Sequence, residues 1–223
     1  MIPLKVWIGT FCYELCSDDT AIVVDYDKNC VNSQIIVQKE VKHENKKYIV
    51  TGIGEMAFAY VTTNKVLLPS SILNIGKRAF YQCSLRTIRR GATQAKCLQI
   101  GERAFFKCYN LETASFGSEY VLNGDRTFAE CRMLKNINSQ NLIRCLPTET
   151  FKDCISLKEF HFSDGLQIES LAFRGVHLQT VHIQTLSDYD QDLLDALKNA
   201  EIHCENNSNL TELAYEGYNI LIP

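Results

Sequence analysis

The chain has 223 residues, 46% hydrophobic and 22% charged, with a formal net charge of −3. That balance fits a folded protein and excludes a disordered one. Lys and Arg are scattered apart from Arg86, Arg89 and Arg90, so there is no basic stripe for nucleic acid, and no apolar run approaches the ~20 residues of a membrane-spanning helix. Residues 1–9 carry one Lys and a broken apolar run, and no secretory signal is read there.

Residues 9–51 alternate apolar and polar positions in short runs at 11–15, 21–24, 33–37 and 48–50. Alternation of this kind predicts strands. We expect an antiparallel β cap over 1–52.

A repeat then occupies residues 53–186. Phe58, Phe80, Phe105, Phe128, Phe151 and Phe173 recur at steps of 22 to 25 residues. Ala57, Ala79, Ala104, Thr127, Thr150 and Ala172 precede them, and Cys83, Cys108, Cys131 and Cys154 follow three residues after their Phe. About six such copies predict a solenoid, a stack of coils in which each unit contacts only its neighbours. The period-two pattern after each Leu, as in Leu85-x-x-Ile88, predicts one short strand per coil, stacked into a parallel sheet at ~4.8 Å per rung. Phe is assigned to the centre of the coil, Ala to a close approach between coils and Gly to a tight corner. The Ile-Gly corner is lost in the fourth and fifth copies, which predicts irregular coil near 117–126 and 138–149. The long step between Phe80 and Phe105 predicts an insertion near 89–94 that carries the Arg group.

The unit Ile75-Gly76-x-x-Ala79-Phe80-x-x-Cys83-x-Leu85-x-x-Ile88, repeated in phase, resembles the BspA-like class of leucine-rich repeats. So does the strand-to-corner passage from Val66-Leu67-Leu68-Pro69 to Ile75-Gly76. The resemblance spans about 50–186. It implies an α/β but β-rich, right-handed leucine-rich-repeat solenoid with an N-terminal β cap and a C-terminal αβ cap. It also implies a non-enzymatic protein whose sheet lines an inner, concave face that meets partners, often at a cell surface in adhesion.

Residues 187–223 form the expected C-terminal cap. Leu193, Leu194 and Leu197 define the apolar face of a helix within 186–200, with Ser187 or Asp188 at its N-cap. A strand at 201–204, a short helix at 210–215 and a last strand at 218–222 follow. Asp188, Asp190, Asp192 and Asp195 suit a helix start and lack an EF-hand spacing for calcium. The Asn206 and Asn209 sequons are read as chance.

Alternation assigns the outward side chains of the sheet to Thr87 and Arg89, Thr113 and Ser115, Asn136 and Asn138, Glu159 and His161, and Thr180 and His182. This polar set suits an unknown protein or glycan partner better than a lipid. The plainer alternative is a solvated face on a structural or intracellular scaffold. His161, His182 and His203 sit one coil apart and would form an imidazole ladder near Glu159. That ladder is read as a partner contact or an accident of register, with a transition-metal site as the alternative. No cofactor is expected. GxSxG, P-loop, GxGxxG and HExxH motifs are absent, and His203 and Cys204 point to opposite faces of a strand. The chain is expected to be a monomer.

Ten cysteines form no CxxC pair, and four of them hold one repeat position. They are read as reduced, buried thiols, which favours a cytoplasmic setting. The family resemblance favours secretion or the cell surface. Unfolding the purified chain without reductant and titrating its thiols separates the two settings. A count of ten is the expected outcome for the chain, and fewer marks disulfides and an oxidising compartment.

Overall fold

Each repeat folds because its apolar positions all converge on one axis. A computed structural model of the chain describes residues 4–30, 32–92, 97–117, 120–137, 143–163, 165–183, 189–204 and 217–221. The six repeat phenylalanines are buried and stack in a column along that axis. Ring centroids of Phe58, Phe80, Phe105 and Phe128 follow one another at 5.1, 5.2 and 5.1 Å, with interplanar angles of 7°, 5° and 3°. The column loosens to 5.8 Å and 15° at Phe151 and to 5.6 Å and 32° at Phe173.

Around this column the backbone forms three ladders. The first is the predicted sheet. Gln34–Ile36, Lys65–Leu68, Thr87–Arg90, Thr113–Ser115 and Asn136–Ile137 pair in parallel. Glu159–Phe162, Thr180–Ile183, Glu201–Cys204 and Asn219–Leu221 form a second parallel block.

The second ladder corrects the expectation of one strand per coil. Lys46–Ile53, Asn74–Ile75, Leu98–Gly101 and Tyr120–Asn123 pair in parallel, as do Cys145–Leu146 and Gln167–Ile168. The apolar residue before each Gly corner is therefore also a strand position. Tyr120–Asn123 is regular, against the expected irregularity there, because Tyr120 and Leu122 supply the two buried positions. Gly76 and Gly101 are needed for close approach and not for their φ. A Cβ on Gly76 would sit 2.9 Å from the Glu55 nitrogen, and one on Gly101 would sit 2.9 Å from the Lys77 nitrogen.

The third ladder runs through the Phe turns. Residues two before and two after each Phe are left-handed, as at Arg78 and Gln82, Arg103 and Lys107, and Arg126 and Glu130. Each such non-Gly residue costs on the order of 1–2 kcal/mol. The return is a row of interstrand-type bonds: the Arg78, Phe80 and Gln82 N–H groups donate to the Glu102, Ala104 and Phe106 carbonyls of the next coil. The same triplet repeats at Arg103, Phe105 and Lys107 and at Arg126, Phe128 and Glu130.

The buried thiols join this scheme. Cys108, Cys131 and Cys154 donate to the carbonyls of Phe80, Phe105 and Phe128 in the preceding coil, at 2.9 to 3.1 Å. Cys83 donates to Val61. Burial pushes the thiols of Cys83, Cys131 and Cys154 well up from the ordinary value, which keeps them protonated donors. All ten cysteines are free thiols. Where Thr replaces Ala before Phe, its buried hydroxyl donates locally: Thr127 to Gly124 and Thr150 to Pro147.

Arg90 stands apart from the other two members of the Arg group, Arg86 and Arg89. It follows Ile88 by two on an alternating strand and so points inward. Its side chain is 1% exposed. Nε donates to the Ile72 carbonyl at 2.7 Å, Nη1 to Phe116 at 3.2 Å and Nη2 to Ser70 at 3.1 Å. The guanidinium ties two chain segments, the Ser70–Ile72 passage and Phe116. Residues 93 and 94 of the expected insertion lie outside the described residues.

At the N-terminal end, Leu4–Ile8, Phe11–Leu15 and Thr20–Tyr26 form the expected antiparallel meander. Thr20–Tyr26 then runs parallel to Lys46–Ile53, and Gln34–Ile36 joins the repeat sheet, so these strands depart from a purely antiparallel cap. Phe11 and Tyr26 close the column against Phe58. At the other end, helix Gln191–Leu197 buries Leu193, Ala196 and Leu197. Its N-cap is Asp190 and not Ser187 or Asp188, which lie outside the described residues with the sequons and the 210–215 segment. The Asp190 carboxylate accepts from Leu193 N–H at 2.9 Å and from Leu171 N–H at 3.1 Å. It caps the helix and the last Phe turn together.

Two substitutions test this packing. Phe105→Ala removes a ring stacked on both sides and should cost ~3–5 kcal/mol in urea unfolding. Arg90→Leu keeps bulk but strands three buried carbonyls, and should cost about 3 kcal/mol. Arg90→Lys should recover only part of that, because one ammonium cannot match the three-way fork.

Candidate functional site

On the first ladder, side chains alternate between the core and solvent. Ile35, Val66, Leu68, Ile88 and Ala114 face inward, and Phe160, Val181 and Ile202 do the same in the second block. The residues between them form two outward columns fixed by strand register.

Along one column Gln34, Lys65, Thr87, Thr113 and Asn136 are paired in order. Glu159, Thr180, Glu201 and Asn219 continue it in the second block. The other column holds Ile36, Leu67, Arg89 and Ser115, then His161, His182, His203 and Leu221. Arg89, Thr113, Asn136 and Glu159 are exposed, while Thr87, Ser115, His161, Thr180 and His182 are half-buried. The expected site residues are thus brought onto shared columns within each block. Asn138 lies outside the described residues. Among the described residues no strand pairing joins Asn136–Ile137 to Glu159–Phe162.

Sequence reasoning missed Gln34, Ile36, Lys65, Leu67, Glu201, Asn219 and Leu221. Their signal was present as the same alternation, but it fell in segments assigned to caps or to the strand-to-corner passage. Ile36 and Leu221 add exposed apolar side chains near the two ends of the face.

The imidazole ladder forms as the spacing predicted. The His161 and His182 rings stack at 4.3 Å and 7°, and His182 and His203 at 4.9 Å and 18°. Glu159 Oε1 lies 3.1 Å from His161 Nε2 and 3.9 Å from His182 Nε2. Glu201 Oε1 lies 2.9 Å from His203 Nε2. Carboxylates at i and imidazoles at i+2 share a strand face, which is why each pairs within its own strand.

One rim of the face is tied by ion pairs. Glu112 joins Arg86 of the preceding coil and Lys135 of the following one. Hydrogen bonds from Arg86 and then Lys135 hold the Glu112 carboxyl below the usual carboxylate range.

The chain belongs to the family described as the BspA-type leucine-rich repeat region, whose repeat profile matches residues 29–96 and 92–201 in six copies. Among solved structures it is similar to a leucine-rich cell surface protein from Faecalibacterium prausnitzii. That similarity has 23% identity and a TM-score of 0.71, and covers 93% of this chain but 56% of the other. It is also similar to a leucine-rich repeat protein from Treponema pallidum, at 18% identity and a TM-score of 0.55, covering 98% of each chain. A third similarity, to a leucine-rich repeat protein from Bacteroides ovatus, has 19% identity and a TM-score of 0.51 over 92% of this chain and 66% of the other. No curated protein matches the chain. These structures establish a leucine-rich-repeat solenoid. No helix among the described residues is long and apolar enough to cross a membrane.

Proposed function

We propose that the chain is a non-enzymatic binding module that recognises a protein or surface glycan with the outward face of its strand ladder. The observation that carries this is the register. Strands several coils apart hold polar side chains in two straight columns, backed by a dry core that fixes their spacing. Such a surface is pre-organised, so little side-chain entropy is lost on binding at the short Thr, Ser and Asn positions. Arg89, flanked in its column by Leu67 and Ser115, adds an exposed cation to that surface.

An adhesive role is the finer form of this proposal. The similar F. prausnitzii protein is described as a cell surface protein, and a matrix protein or glycan is the partner such a setting offers. The chain spans 56% of that protein's length, so its activity here is judged on this face alone.

The test uses a variant away from the histidines, with Arg89→Glu, Thr113→Lys and Asn136→Lys combined. Wild type and variant are passed over immobilised matrix proteins and a glycan array after their melting temperatures are shown to match. Binding by wild type that falls at least about tenfold in the variant supports the proposal. Equal recovery from both, or no binding by wild type, favours a scaffold without a dedicated ligand.

A further inference from the structure

The geometry points to a transition-metal site at Glu159, His161 and His182, on the outward face near the C-terminal end of the solenoid. Ligand atoms of these three residues all lie within 4.8 Å of one another. In a tetrahedral site with metal–ligand bonds near 2.0–2.1 Å, neighbouring donors stand about 3.3 Å apart. Glu159 Oε1 is already 3.1 Å from His161 Nε2 and 3.9 Å from His182 Nε2. Turning the two rings out of their parallel stack, about fixed backbones, would bring their in-plane lone pairs onto one ion.

The backbones are fixed for reasons independent of any ion. Glu159 pairs with Thr180 and His161 with His182 in unbroken parallel register. Phe160, Phe162, Val181 and Ile183 anchor the same two strands in the core. Stacking at 7° places the two imidazoles face to face, 4.3 Å apart on one side of the sheet, and the Glu159 carboxylate reaches both. Two imidazoles and one carboxylate match the donor preference of zinc, nickel or copper and leave at least one position open to solvent. Each ligand side chain is between 36% and 55% exposed, so the ion needs no opening of the fold to enter.

The sequence pattern alone gave three histidines equal standing, with Glu159 nearby. The structure separates them. His203 stacks on His182 but is engaged by Glu201 at 2.9 Å. His203 is therefore a support to the His182 ring and not one of the three ligands.

The experiment is a cobalt(II) titration of the purified chain, followed by zinc competition. Expected is saturable binding of one equivalent, with visible d–d bands and no thiolate-to-cobalt charge-transfer band, displaced by zinc. His161→Ala, His182→Ala and Glu159→Gln should each weaken binding by about tenfold or more, and His203→Ala should weaken it far less. Zinc should raise the melting temperature of wild type but not of the His161→Ala/His182→Ala double variant, while the metal-free melting temperatures agree. Three results would overturn the site: no saturable binding, binding unchanged in the double variant, or a charge-transfer band that assigns the cobalt to cysteine. The measurement needs no partner, so its outcome is independent of the array result for the other half of the face.

Discussion

A single spacing governs the molecule. Stacked aromatic rings and hydrogen-bonded strands both settle near 5 Å, and the centroids from Phe58 to Phe128 keep 5.1 to 5.2 Å. The core column and the backbone ladders can therefore advance together without strain. Where the column departs from that value, at Phe151 and Phe173, the strand ladder among the described residues also falls into two blocks. The second block has its own dense aromatic packing, with Phe160 and Phe162 against Phe173.

The Phe turns carry a direction. From Phe58 to Phe151, the N–H groups at each Phe and two residues either side of it donate towards the next coil, and the repeat thiols donate back to the previous one. A one-way ladder leaves donors exposed at its C-terminal end. The Asp190 carboxylate meets one of them at Leu171 while serving as the helix N-cap. The terminal helix is thus joined to the repeats by an acceptor as well as by Leu193, Ala196 and Leu197. The left-handed residues flanking each Phe are affordable only in this arrangement, since an isolated coil would bear the strain without the interstrand bonds.

The same spacing makes the functional surface. Because coils advance by one strand width, residues one period apart in sequence become neighbours in space. Isolated Thr, Asn, Glu and His side chains become columns, and three histidines become a stacked ladder. The two proposals use different parts of that surface, one the Arg89 region and the other the Glu159 region.

The period, the core Phe, Ala, Cys and Leu positions, the family and the outward residues of the central repeats were legible in the sequence, because each follows from local alternation repeated in phase. The second strand before each Gly corner was not. At two to four residues it is too short to show a pattern, and only pairing with the neighbouring coil makes it a strand. Alternation from Ile88 turns Arg90 inward, but the sequence could not show what would satisfy its charge there. A charged side chain reads as surface until three carbonyls from Ser70, Ile72 and Phe116 are brought round it. The histidine spacing was written in the chain. Which carboxylate each imidazole meets was decided by register and side-chain reach, which exist only once the coils are stacked.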